Sequence, residues 1–281
     1  MPRQVFGSYT QEQLDAQYDQ RSLVPDLEVY FERWREASKR AEDRLTVREA
    51  IAYGPDSNET LDVFPAASPG GGLHVHYHGG AWRALCSRDA WFIAEPWVAQ
   101  GHSFVSVNFG LVPQVSLAAQ VDQARRALVW CYENPADLGF ESGRITVSGH
   151  SSGAYLASMA ALVDWGESKK WQPDVQAVII ASGTYDLEPV RLSARNGYLK
   201  LTEAEALALS PVRLLKEQVP PCVVVWASQE LQEFQRQSME FAAALRRRGP
   251  VRRHAIESGS HFDTWDLIAP DLLSNFAPTS S

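Results

Sequence analysis

The sequence of 281 residues is poor in cysteine and has no excess of positive charge. It contains three cysteines, Cys86, Cys131 and Cys222, and their odd number and lack of motif spacing predict no disulfide framework. Its 26 Lys and Arg against 34 Asp and Glu leave a formal charge of −8. Because nucleic-acid binding needs a basic surface, this balance argues against a nucleic-acid partner.

Long apolar runs are also missing from the sequence. None approaches the roughly 18 residues that cross a bilayer, and no basic amphipathic stretch suggests binding at a membrane surface. Residues 1–5 lack the apolar segment of a secretory signal. We therefore expect a cytoplasmic protein without a membrane partner. Hydrophobic residues make up 45% of the chain and charged residues 21%, which is ordinary for a globular protein.

From residue 45 onward, short β-rich runs alternate with helical patterns. We predict strands at 45–52, 60–64, 72–77, 103–108, 143–148, 175–181, 221–227 and 251–256. Helices are predicted near 88–100, 117–133, 152–164, 233–248 and 262–275. This alternation indicates an α/β fold with a mostly parallel, eight-stranded sheet flanked by helices.

Two segments depart from the alternation. Residues 1–44 are polar with spaced apolar positions, which predicts an N-terminal helical segment packed on a main domain at 45–281. Residues 184–219 hold a polar helical stretch between two prolines. We expect this second segment to be a small helical cap over the carboxyl ends of the strands, where such folds bind ligands.

The strongest motif is Gly-His-Ser-Ser-Gly at 149–153, the only G-x-S-x-G found in the chain. A β-rich run precedes it and a helix of small residues follows. This context is typical of a nucleophile elbow, a strained strand-to-helix turn that exposes one serine hydroxyl. Ser151 is therefore the predicted nucleophile, and an ordinary Gly/Ser loop is the alternative.

A serine hydroxyl needs a base, and the base needs a group that orients it. In this fold class the chain order is serine, then acid, then histidine, so His254 and His261 are the candidate bases. His254 lies inside a predicted strand, whereas His261 lies in a loop after the last strand, so we predict His261. Glu230 is the first carboxylate after the penultimate strand and is the predicted acid. Glu233, one helical turn further on, is its competitor.

The stretch His-Tyr-His-Gly-Gly-Ala-Trp at 76–82 follows another predicted strand. Glycines there let the backbone approach a ligand closely. We predict that the N–H groups of Gly79 and Gly80, with that of Ser152, form an oxyanion hole.

The alternating histidines of this region allow a different interpretation. His74, His76 and His78 could face one side of a strand, and such a pattern binds zinc in metal-dependent hydrolases. The remaining histidines show no matching ligand pattern, and a zinc site leaves the serine motif unexplained.

Together, these motifs resemble the kynurenine formamidase (arylformamidase)-like esterases of the α/β-hydrolase fold, over about residues 10–275. Residues 78–82 resemble the family's HGG-x-W oxyanion loop, and 149–153 its G-H-S-A-G elbow. Residues 182–189 resemble its S-G-x-x-D-L-E-P segment, and 230–238 its D-x-x-E-F-x-R-Q-S run, whose leading acid belongs to the triad. Glu230 stands where the family usually has Asp, and Ala81 where many members have Tyr.

The resemblance implies a serine hydrolase that cleaves an acyl-amide or ester bond through an acyl-enzyme and needs no metal or organic cofactor. The expected substrate is a small aryl formamide such as N-formylkynurenine. Trp82 and Tyr185 are candidates for an apolar wall around the leaving group, with core packing as the alternative. A carboxylesterase for short-acyl or aryl esters is the second expected function, and a non-catalytic ligand-binding relative is the third. A homodimer is left open.

Overall fold

The computed structural model describes residues 3–67, 71–140, 143–166, 172–274 and 276. A small antiparallel hairpin near the N-terminus pairs β1 (Gln4–Phe6) with β2 (Tyr9–Thr10). The main sheet contains β3 (Arg48–Ala52), β4 (Thr60–Phe64), β5 (Leu73–Tyr77), β6 (Ser103–Val107), β7 (Ile145–His150), β8 (Ala177–Ala181), β9 (Cys222–Ala227) and β10 (Val251–Ile256).

The order across the main sheet is β3-β4-β6-β5-β7-β8-β9-β10. Strands β6, β5, β7, β8, β9 and β10 run parallel to one another, and β4 pairs antiparallel with both β3 and β6. The predicted α/β fold with an eight-stranded, mostly parallel sheet is thus confirmed. The catalytic motif of such a sheet lies at the carboxyl ends of its central strands.

The helices are α1 (Gln11–Ala16), α2 (Glu28–Arg44), α3 (Ala94–Ala99), α4 (Leu117–Glu133), α5 (Pro135–Leu138), α6 (Ser152–Ala161), α7 (Glu188–Leu192), α8 (Asn196–Leu199), α9 (Glu203–Ala208) and α10 (Gln232–Arg246). Helices α4, α6 and α10 bury apolar side chains on one face of the sheet, and α2 and α3 on the other. In β8, Val178 and Ile180 join the first core, whereas Ile179 and Ala181 join the second. Strands buried on both faces explain the continuous apolar runs in the sequence.

The predicted helix at 262–275 is wrong. The chain there forms successive turns and one short 3-10 helix, Pro270–Leu273, and residue 275 lies outside the described part. Pro270 has no backbone N–H and disfavours a helical conformation at the preceding residue. Ala269 is accordingly extended, with φ −143° and ψ 160°. The predicted helix at 88–100 also divides, into a 3-10 segment Ser87–Ile93 and α3.

The N-terminal segment and residues 184–219 meet above the sheet. Helices α7, α8 and α9 lie in the second of these segments. The side chain of Gln11 donates a hydrogen bond to the Leu192 carbonyl, and the Ala194 N–H donates to Asp15. The two segments therefore support each other beside the carboxyl ends of the central strands. No helix in the described ranges is long and apolar enough to cross a membrane.

Candidate active site

Ser151 occupies the sharp turn between β7 and α6. Its φ of 55° and ψ of −122° lie in a region that residues other than glycine rarely adopt, so the turn is strained. A Cβ atom on Gly149 would lie 2.1 Å from the Gly153 carbonyl oxygen, and one on Gly153 would lie 2.0 Å from the Tyr77 oxygen. The two glycines thus permit the close approach of helix to strand that lifts the serine above the sheet.

The hydroxyl of Ser151 begins a chain of hydrogen bonds through the three predicted residues. It donates to His261 Nε2 at 2.9 Å, and His261 Nδ1–H donates to Glu230 Oε2 at 3.1 Å. All three side chains are buried. Residues from three separate loops are therefore brought together in the order of the predicted nucleophile, base and acid.

The two competing residues take other places. Glu233 forms an ion pair with Arg236 at 2.8 Å and has no contact with the imidazole. His254 lies on the edge strand β10 and is half-buried. Neither residue is positioned to act on Ser151.

The Glu230 carboxylate is held from its far side by groups that the sequence did not indicate. Its Oε1 accepts hydrogen bonds from the Ala227 N–H at 2.7 Å and from the Ser182 hydroxyl at 2.5 Å. The Thr264 hydroxyl lies 2.7 Å from that of Ser182. Both carboxylate oxygens thus have donors, which fixes the carboxylate against the imidazole. Ser182 is the first residue of the S-G segment, the one sequence signal that could have revealed it.

The loop that carries His261 is braced by His150. The His150 ring stacks on Trp265 with centroids 5.0 Å apart, and its Nε2–H donates to the His261 carbonyl at 2.9 Å. Burial, together with the neighbouring His261, holds the pKa of His150 well below its ordinary value. His150 is therefore neutral. Its role is to hold the backbone of His261 in place, and it takes no part in proton transfer.

Gly79 and Gly80 lie beside Ser151. A Cβ on Gly79 would stand 3.4 Å from Ser151 Cβ, and Gly80 adopts a φ of +109° with its Cβ position 2.0 Å from the Ala84 oxygen. In the described part of the chain, the N–H groups of Gly79, Gly80 and Ser152 have no hydrogen-bond acceptor. His78 supports this loop by donating to the Gly79 carbonyl and stacking on Phe109. Its burial lowers the pKa of His78 to about 4.

The alternating histidines of β5 are explained by a buried network rather than by metal ligation. Trp265 Nε1–H donates to His76 Nε2, and His76 Nδ1–H donates to Ser148. The Ser148 hydroxyl donates to His74 Nε2, and His74 Nδ1–H donates to Thr146. All four ring nitrogens are used. Over the described ranges, no group of three or more His, Cys, Asp or Glu side chains is arranged to hold a metal ion.

A cavity of about 630 Å³ opens above Ser151 and His261. One wall is aromatic, because Phe31, Trp34, Phe262 and Trp265 face it. Charged and polar side chains from the N-terminal segment, from the loop after Gly80 and from residues near α8 complete the lining. The volume is large enough for a substrate with an aromatic leaving group.

The structure does not place Trp82 or Tyr185 on this cavity. Trp82 is 1% exposed and meets Tyr155 edge to face, with centroids 5.6 Å apart. Tyr185 is 1% exposed and stacks on Phe241 of α10 at 4.0 Å. Both rings pack in the core, so the core-packing alternative describes them, and the aromatic wall comes from other residues.

Comparison with known proteins gives concordant results. A model of the BD-FAE family matches residues 62–245. The kynurenine formamidase of Salmo salar is 31% identical over 238 residues, which cover 82% of this chain and 79% of that protein. The kynurenine formamidase of Danio rerio is 29% identical over 287 residues, which cover 98% of this chain and 96% of that protein.

Solved structures share the fold. A protein from Silicibacter sp. TM1040 superposes with a TM-score of 0.78 at 21% identity, covering 96% of this chain and 97% of its own. The esterase LipW of Mycobacterium marinum gives a TM-score of 0.67 at 19% identity, covering 87% of this chain and 83% of its own.

Proposed function

Since the chain belongs to the BD-FAE family and to the kynurenine formamidase-like esterases of the α/β-hydrolase fold, and is therefore a hydrolase, we propose that it cleaves an acyl-amide or ester bond through an acyl-enzyme on Ser151. The observation that carries the proposal is the hydrogen-bonded series Ser151, His261 and Glu230 at the floor of the cavity. It unites a nucleophile, a base that contacts its hydroxyl and a group that orients the base.

In the first step, Ser151 Oγ attacks the carbonyl carbon while His261 Nε2 takes the serine proton. Glu230 holds the imidazole in the tautomer that presents a bare Nε2 to the serine, and it stabilises the imidazolium that forms. The carbonyl oxygen becomes an oxyanion, and the free N–H groups of Gly79, Gly80 and Ser152 receive it. A single donor of this kind typically lowers the barrier by about 3–4 kcal/mol.

In the second step, the carbon–nitrogen or carbon–oxygen bond breaks, and His261 gives its proton to the departing amine or alcohol. Water then attacks the acyl-enzyme, with its proton passing to His261 and finally to Ser151. The acid product leaves, and the enzyme returns to its starting state. Apart from this water, the two steps use side chains and backbone groups of the site.

The substrate we propose first is an aryl formamide, such as N-formylkynurenine or a related N-formyl aromatic amine. The aromatic wall suits an aryl leaving group, and the fish relatives are kynurenine formamidases. A short-acyl carboxylesterase is the second candidate. It is favoured by Ala81, which lines the cavity with a small side chain and leaves room on the acyl side.

The two candidates are separated by kcat/KM on N-formylkynurenine and on p-nitrophenyl acetate. Turnover of the formamide is expected, and turnover of the ester alone would leave only the carboxylesterase. Ser151→Ala should abolish both reactions without changing the folded structure. Ser158→Ala is the matched control, because Ser158 lies on α6 and bonds only to the Ala154 carbonyl. Full activity of Ser151→Ala would refute the proposed function.

A further inference from the structure

Five charged side chains line the cavity, and they fall into two groups. Asp15, Asp19, Arg21, Arg83 and Arg195 give three positive charges against two negative ones, on a protein whose net charge is −8. The Asp15 carboxylate accepts hydrogen bonds from Gln11 and from the Ala194 N–H. Asp19 pairs with Arg21 at 3.4 Å. The partners of both carboxylates are thus groups other than Arg83 and Arg195.

Arg83 and Arg195 have no carboxylate partner within the described ranges. The Arg195 guanidinium donates two hydrogen bonds to the Tyr18 carbonyl, and it lies 5.8 Å from the ring centroids of Trp82 and Phe234. The Arg83 guanidinium lies 4.7 Å from the centroid of the Tyr198 ring. Aromatic faces hold both cations in place without neutralising them.

Arg83, Arg195 and Tyr198 line the same cavity. The Arg83 guanidinium lies over the Tyr198 ring, and both guanidinium groups oppose the rise in the Tyr198 pKa that burial causes. Two positive charges without carboxylate partners in one cavity favour the binding of an anion beside them. The cavity also contains Gln20, which is 5% exposed and whose side-chain amide has no partner among the described residues. A buried amide without a partner indicates a place where a ligand group can bind.

We propose that Arg83, Arg195 and Tyr198 form an anion subsite that binds a carboxylate on the leaving-group side of the substrate. Guanidinium and phenol groups together offer the donors that a carboxylate accepts, and guanidinium matches its planar geometry. The subsite shares the cavity with Ser151, so a substrate held there presents its acyl group to the nucleophile. This inference rests on the proposed function and narrows its substrates to aromatic amides or esters that carry an acid group.

The test uses substrates that differ in one charge. We would compare kcat/KM for 3- and 4-acetoxybenzoate with kcat/KM for the matching acetoxybenzamides, which have the same acyl group and ring. The wild-type enzyme should prefer the benzoate of at least one isomer. Arg83→Gln should lower the benzoate-to-benzamide ratio by about tenfold, the usual scale for one hydrogen bond to a charged group. Tyr198→Phe should lower the ratio by a smaller factor of about threefold.

Arg213→Gln provides the control, because Arg213 is a half-exposed arginine that does not line this cavity. The benzoate-to-benzamide ratio of kcat/KM for this variant should equal that of the wild type. Higher salt should reduce the wild-type preference more than that of Arg83→Gln, since exposed charges are screened. A wild-type enzyme without preference, or a ratio that Arg83→Gln leaves intact, would overturn the subsite while leaving the hydrolase proposal standing.

A binding experiment on Ser151→Ala tests the anion subsite independently of the proposed hydrolase function. Calorimetry on this variant should show tighter binding of the acetoxybenzoate than of the benzamide, and Arg83→Gln in the same background should remove the difference. If the wild-type enzyme hydrolyses neither N-formylkynurenine nor p-nitrophenyl acetate but this binding difference is found, the subsite stands and the proposed function fails. Equal binding of the two compounds would refute the subsite directly.

Discussion

The floor and the walls of the cavity differ in whether their polar side chains have partners within the protein. At the floor, Ser151, His261 and Glu230 lie at the ends of buried core elements, and each side chain has a hydrogen-bond partner. On the walls, within the part of the chain that the structure describes, Arg83 and Arg195 lack carboxylate partners and the side chain of Gln20 has no hydrogen-bond partner. The floor is thus complete without a ligand, whereas the walls leave donors for one. On our two proposals, the reaction and the choice of substrate therefore depend on separate parts of the chain.

The largest expected effects come from breaking the floor. His261→Ala should lower kcat by about 10⁴-fold, because a triad without its base retains only what binding and the oxyanion hole supply. Single-turnover assays with p-nitrophenyl acetate measure this. Wild-type activity would show that another base serves Ser151.

Glu230→Gln should be compared with Glu233→Gln. The first removes the carboxylate on His261 and should lower kcat by a factor of about a hundred or more, since the imidazole loses its orienting charge. The second removes a buried charge from the Arg236 ion pair, which lies away from the base. It should lower the free energy of unfolding by about 1 kcal/mol, because Arg236 is partly exposed and keeps its ion pair with Glu240, and leave kcat within about twofold. The reverse pattern would move the acid role to Glu233.

Ser182→Ala tests whether the residue that holds the Glu230 carboxylate also contributes to the reaction. Loss of its hydrogen bond to Glu230 Oε1 should lower kcat by about tenfold, because one donor to a charged group is removed. Ser182→Thr should recover part of the rate, because threonine keeps the hydroxyl that donates to Glu230. A wild-type rate in Ser182→Ala would show that this hydrogen bond does not support the carboxylate in the reaction.

The sequence predicted the floor better than the walls, for a physical reason. Ser151 lies in a motif whose glycines are required locally, and the chain order of the fold then leaves few candidates for Glu230 and His261. Ser182 and Thr264 lie 82 residues apart, and nothing in either segment shows that they meet. Cavity walls depend on how separate segments pack, which the sequence does not show. Trp82 and Tyr185, expected on the wall, therefore proved to pack in the core.

The fold shows the same contrast between local and long-range determinants. The apolar periodicity of residues 117–133 predicted α4 with its correct bounds. The short runs of apolar residues predicted the strands of the main sheet. The prediction of a helix at 262–275 was wrong because Pro270 interrupts a stretch whose apolar spacing is otherwise helical. The hairpin of β1 and β2 is too short to show a periodic pattern.

A further effect concerns the pH dependence of stability, which comes from the buried histidines around the floor. Burial holds the pKa values of His74, His76 and His150 well below 6.5, so these histidines stay neutral when folded. The unfolded chain protonates them as pH falls through 6.5, and the folded chain does not, so stability is lost on acidification. Each contributes up to about 1.4 kcal/mol per pH unit below that value. Urea unfolding at pH 7.5 and 5.5 measures the loss, and equal stability at both would contradict it.

The most direct test of the central claim is covalent labelling with a serine-directed sulfonyl fluoride. Peptide mass spectrometry should find one label per chain, on Ser151, and residual esterase activity should fall in proportion to the labelled fraction. His261→Ala should label far more slowly, because the hydroxyl then lacks its base. Full labelling of Ser151 with activity retained, or loss of activity without a label on Ser151, would contradict the account.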